Sequence, residues 1–133
     1  MKMTEVMDEI AARARAIPAI EGRMHAFPPG EISAPAGFLG YPTMNTHQTY
    51  GPGMQRWEIE LFLCVGNPTD RAARERMSEL VDGDGVAALI TALESGDTDA
   101  FDVATLKTVT IQEVVLGAVT YLGAVCVLDI VGS

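Results

Sequence analysis

Two histidines, two cysteines and a few spaced carboxylates are the side chains of this sequence that could carry chemistry. His25, His47, Cys64 and Cys126 are the residues able to bind a transition metal or to form a nucleophile–base pair. No two of them stand at the short spacings from which zinc sites are built. A metal centre would therefore need the fold to gather distant positions. Asp82-Gly83-Asp84 begins like a calcium loop. It has no carboxylate at the fifth position and no glycine at the sixth, and Leu93 stands at the twelfth, where such a loop needs a bidentate Glu. A turn is the better reading. Glu58 and Glu60 would share one face of a strand, as an acid–base pair must or as a solvated face does. Gly51-Pro52-Gly53 has no helix after it and no lysine near it, so it is not a phosphate cradle. These residues name no catalytic centre, no metal site and no cofactor, and the chain reads as a non-enzyme.

The elements that would position them are organised around Met54 to Met77. Trp57, Ile59, Leu61, Leu63 and Val65 alternate with Arg56, Glu58 and Glu60, then with Phe62 and Cys64. One face of this strand should be buried throughout, while the other starts wet and ends covered. A helix should follow at once, with Asn67 as N-cap, Pro68 at the first helical position and Asp70 in the first turn. Ala73, Met77, Leu80 and Val81 then form a face that can lie back on the sheet. Trp57 reads as a core or interface anchor. It is not a stacking platform, since Arg56 is the one basic residue beside it.

Taken in order, Met3–Ala16 is expected to be helical, with Thr4 as N-cap and an apolar stripe of Met3, Met7, Ile10, Ala14 and Ile17. Glu21–Phe27 reads as a strand, broken by Pro28-Pro29-Gly30. Phe38–Tyr41 is a short strand ended by Pro42, which predicts an edge position. Thr43–Gln55 is a long polar loop marked by Gly and Pro, of the kind that is functional or mobile. Asp82–Gly85 is a turn, and Val86, Leu89, Ile90 and Leu93 mark a third helix stopped by Gly96. Asp97–Asp102 is an acidic connection. Leu106–Val114 and Val119–Val131 are strands joined as a hairpin through Gly117 and Ala118. The order α, β, β, β, α, α, β, β predicts one α+β domain over residues 1–133, with a mainly antiparallel sheet and helices packed on one side.

Charge narrows the function further. The net charge is −9, and residues 77–133 hold Lys107 as their one base against nine acids. Gripping nucleic acid by its phosphates needs clustered Lys and Arg. Cys64 and Cys126 sit in apolar strand patterns and read as buried free thiols. The start of the chain is an amphipathic charged helix and not a signal peptide. Val114–Leu128 is uncharged, but it is too short to span a bilayer and is interrupted by Gly117 and Gly123. A cytosolic setting follows.

The order of features resembles a known family. A short N-terminal helix leads to a strand and then to a Pro-flanked strand (Pro35, then Phe38-Leu39-Gly40-Tyr41-Pro42). A long polar loop precedes Trp57-Glu58-Ile59-Glu60-Leu61, a Val-Gly ending and the helix start Asp70-Arg71-Ala72-Ala73. An Asp-Gly turn, an Ala-Leu helix, acidic residues and closing strands around Tyr121-Leu122-Gly123 complete it. From about Thr4 to Val131 this is similar to the tail-terminator proteins of long-tailed, non-contractile (siphovirus-type) bacteriophages, in the version common among phages of actinobacteria.

The resemblance implies a small α+β domain that forms a homo-hexameric ring, caps the tail tube, ends its polymerisation and joins the tail to the head side. Its partners would be further copies of itself, the major tail tube protein and the head-tail connector protein. DNA would pass through the lumen without specific binding, and no membrane or cofactor is involved. The place would be the virion tail at the neck, and the host cytoplasm during assembly. Met44, Asn45, His47, Tyr50, Met54 and Trp57 are then the expected interface residues. Glu58, Glu60, Asp97, Asp99 and Asp102 are the expected channel lining. A head-tail connector or head-closure protein is the alternative, and a small enzyme or ligand-binding domain a more distant one.

Overall fold

The computed structural model describes residues 1–45 and 54–133. Its backbone is the predicted α+β arrangement. Three helices, α1 (Met3–Ala14), α2 (Arg71–Val81) and α3 (Asp84–Glu94), pack on one face of a six-stranded sheet. The strands are β1 (Met24–His25), β2 (Ala36–Leu39), β3 (Thr43–Met44), β4 (Gln55–Gly66), β5 (Val103–Leu116) and β6 (Val119–Gly132). Their order is β1-β2-β4-β6-β5, with β3 on the same side of β4 as β2. All pairings are antiparallel except β1 with β2.

β4 is the central strand, and its two faces behave as the alternation predicts. Trp57, Ile59, Leu61, Leu63 and Val65 are buried beneath the helices with Ala124, Cys126, Leu128 and Ile130 of β6. On the other face Glu60 is exposed, Phe62 half-buried and Cys64 buried. That second face carries its own small core of Phe38, Cys64, Val114, Tyr121 and Val125. The segment holding Ile32 and Ala34 covers it, and the Tyr121 hydroxyl donates to the Ile32 carbonyl at 3.1 Å.

Several local expectations are corrected. Thr4 does not cap α1: the N-cap is Lys2, with no side-chain hydrogen bond, and the helix ends at Ala14. Met3 of the predicted stripe is exposed, while Val6 and Ala11 are fully buried. The strand expected over Glu21–Phe27 shrinks to two residues, because Glu21 and Gly22 take positive φ after a 3-10 turn at Pro18–Ile20. β2 is not at the edge, since β1 pairs with it in parallel. Thr43 and Met44 are strand and not loop, with Pro42 marking a one-residue slip between the β2 and β3 registers.

The cap of α2 is Asp70, whose carboxylate accepts from the Ala72 amide at 3.0 Å. Asn67 instead closes the preceding turn, accepting from the Thr69 amide at 3.0 Å.

Arg13 ties two helices together. Its side chain is 7% exposed. It donates to Glu9 (3.1 Å), to the Leu93 carbonyl (3.0 Å) and to the Gly96 carbonyl (3.1 Å), and it lies over the Phe101 ring at 4.9 Å. A cation is thus held at the carbonyl end of α3, where the helix dipole favours it. Arg13→Met keeps the apolar stem and strands those acceptors. It should cost about 2–3 kcal/mol, read as a lower urea midpoint with an unchanged m-value.

Candidate functional site: the open face, the edges and a methionine-lined hollow

The sheet separates the residues that could have done chemistry together. Cys126 faces the helices, whereas Cys64 faces the opposite side in register with Gly123. His25 lies at the β1 edge with its ring edge-on to Phe27, centroids 6.1 Å apart. His47 lies outside the described residues, as does Tyr50. Among the described residues no group of three His, Cys, Asp or Glu side chains converges on a point where a metal could sit. Asp82 opens the turn between α2 and α3, accepting from the Ser78 hydroxyl, and Asp84 starts α3.

Burial pushes the Cys64 thiol up to about 11 and the Cys126 thiol up to about 12. An unfolded chain ionises its thiols near their ordinary value of about 8.5, while the native chain keeps both protonated. Above that value the unfolded state binds fewer protons, so rising pH favours unfolding, by up to about 1.4 kcal/mol per pH unit per thiol. The thermal midpoint should fall between about pH 9 and 11, and more shallowly in Cys126→Ala. An equally steep fall in that variant would place the effect elsewhere.

The expected channel residues do not form one surface. Glu58 and Glu60 lie on the helix-free face of β4. Asp97, Asp99 and Asp102 are exposed in the connection beyond α3, at the end of the sheet where β5 begins. Glu58 stands directly opposite Asp129 of β6, a like-charge pairing that would be unfavourable alone. Two cations resolve it. Lys107 reaches Glu58 at 2.7 Å, and Arg56 grips Asp129 through two contacts of 2.6 and 2.7 Å. Asp129 is buried, so this bidentate pair neutralises a carboxylate largely withdrawn from water. Glu60 lacks such a partner among the described residues and is the carboxylate of that face left to act on its surroundings.

The expected interface residues meet more closely. Met44, Asn45, Met54 and Trp57 line one hollow of about 520 Å³ beside β3, together with Met1, Met3, Gln55 and Arg56. Trp57 is itself buried in the main core and contributes the floor. Met1 carries no signal in the sequence. Met3 lies on the helical stripe that reads chiefly as core and in the minor reading as a subunit contact, and it falls outside the core.

The opposite edge of the sheet was not anticipated. β5 pairs with β6 on one side, and among the described residues no strand pairs with its outer side. Near its start that edge is guarded. Lys107 sits at a bulge, and Glu94 of α3 accepts from the Leu106 amide at 3.4 Å. From Thr108 to Leu116 no strand among the described residues covers it; Ile111 and Val115 are exposed, and Glu113 is its one charged residue. Gly117, at φ 64°, makes the two-residue turn to β6. The last hairpin pairs, Val114 with Tyr121 to Leu116 with Val119, lie beyond the end of β4, so the hairpin projects as an arm.

No known family matches the chain, and neither curated proteins nor solved structures give a significant match.

Proposed function

We propose that this chain is a virion structural protein, a tail terminator that assembles as a hexameric ring on the end of a phage tail tube. The ring stops tube growth and offers its other side to the head-side connector. The observation that carries the reading is the outer edge of β5, unpaired among the described residues, with its projecting hairpin. A long apolar strand edge is a template for pairing with another chain, and monomeric proteins block such edges. This chain blocks only the first part of it. The order of elements supports the same reading, since the helix, the Pro-flanked strand, the strand running through Val65-Gly66 into α2, the Asp-Gly turn and the closing hairpin all follow the order on which the resemblance rests.

Charge is compatible with a ring through which DNA passes. An acidic lining repels phosphate and limits sticking. Because Glu58 and Asp129 are neutralised by Lys107 and Arg56 and Glu60 lies on the other surface, the lining charge in this reading falls to Asp97, Asp99 and Asp102, which share one connection. Lysine at these three positions should slow DNA ejection, and unchanged ejection kinetics would count against a place in the bore.

The direct test is co-assembly. Tube protein polymerised with the purified chain should give shorter tubes, with density added at one end in electron micrographs. Tubes of unaltered length with bare ends would contradict the proposal.

A further inference from the structure

We infer that the β5–β6 arm of one copy docks into the methionine-lined hollow beside β3 of a second copy, so that the junction repeats head to tail. The inference rests on the ring reading above for its closure, but the junction itself is argued from the two surfaces.

The two features are complementary. On the helix-side face of the arm, Ile111 (49% exposed), Glu113 and Val115 (68% exposed) stand at alternate positions, beyond the reach of α3. The hollow offers Met3, Met44 and Met54 around the edge of Trp57. Methionine is unbranched and adapts its shape, which suits a surface that must accept β-branched knobs. The charges have opposite sign. Glu113 makes no ion pair among the described residues. Lys2, next in sequence to Met1 and Met3 of the hollow though not part of its lining, has a side chain 80% exposed and only a loose 3.9 Å contact with Glu5, a pair worth little in water.

A second copy is required because one molecule cannot satisfy itself. The hollow lies at the start of β4 on the β3 side. The arm runs beside the last residues of β4, where Ile111 pairs with Ala124 opposite Leu63, and passes its end at Val115, at the opposite edge of the sheet. Strand spacing and rise put the two on the order of 30 Å apart. Different patches on one molecule make a heterologous contact, which closes into a ring when the rotation allows.

The test uses two full-length variants, each with one surface blocked by lysine. The arm variant is Ile111→Lys with Val115→Lys. The hollow variant is Met3→Lys with Met44→Lys. All four positions are exposed, so the thermal midpoints should stay close to that of the original chain, and Val115→Lys or Met44→Lys alone serves if a pair does not fold. At concentrations where the unaltered chain assembles, each variant should sediment as a monomer. Their equimolar mixture should form a dimer and nothing larger, because one good arm and one good hollow remain. A hollow variant that dimerises by itself would mean that two β5 edges pair with each other, and would overturn the inference. So would a mixture that stays monomeric while the unaltered chain forms a ring, an outcome that leaves the ring reading standing. A mixed dimer from a chain whose unaltered form never closes into a ring would uphold the junction and refute the ring. An unaltered chain that stays monomeric, alone and with tube protein, would refute both.

Discussion

Leu61→Asp should yield no soluble folded protein. Leu61 is fully buried at the middle of β4, with Leu39 of β2 on one side and Cys126 of β6 on the other. Among the described residues the buried cluster on this side of the sheet is apolar throughout and holds no cation. An unpaired carboxylate there costs several kcal/mol even if it takes up a proton. The lost leucine packing adds about 2–5 kcal/mol. Together these reach the total stability of about 5–15 kcal/mol that a domain has. Glu60→Gln, one residue away on the exposed face, should change the urea midpoint by no more than about 0.5 kcal/mol. Soluble, cooperative unfolding of the Asp variant would mean that the buried face of β4 has been misassigned.

Gly85→Val should be nearly as damaging, for a backbone reason. Gly85 sits in the first turn of α3, where the chain doubles back against the end of α2. A Cβ at this position would press on the carbonyl oxygens of Leu80 and Glu79, the latter at 2.6 Å. Both belong to α2 backbone, so no side chain can swing aside. α3 must shift, and with it Leu89 and Leu93, which are almost wholly buried. A loss of about 3 kcal/mol or more is expected, in the range of severe overpacking. Gly30 supplies the contrast, because nothing lies within 4 Å of a Cβ added there. Gly30→Ala should leave the thermal midpoint near its original value.

These two sites differ in how far the sequence discloses them. Leu61 is legible, since strict alternation over β4 can be satisfied only by burying one face. Gly85 is legible only as part of a turn. That α2 and α3 approach so closely is a tertiary fact. The same divide runs through the rest of the fold. The hairpin at Gly117 follows from local turn chemistry, and the helical faces from spacing. The parallel pairing of β1 with β2 leaves no local trace, so Phe38–Tyr41 reads as an edge strand when it is covered. Asn67 and Asp70 are both good caps, and the choice between them depends on where β4 ends. Among the site residues, Met44, Asn45 and Met54 stand out through the unusual polar segment that contains or borders them, and they do meet at one hollow. Ile111 and Val115 read as ordinary alternation, because a strand's sequence does not say whether a neighbour lies on each side of it. Glu58 and Asp129 pair up across the sheet only once the β4–β6 register is known, and so does the need for Lys107 and Arg56.

The account holds that the chain works by docking on copies of itself. Negative-stain electron microscopy of the purified protein, alone and with tube protein, tests that most directly. It predicts annular end-on views of uniform diameter with six-fold averages, seated on tube ends when tubes are present. Single globules under both conditions, with tubes left bare, would contradict it.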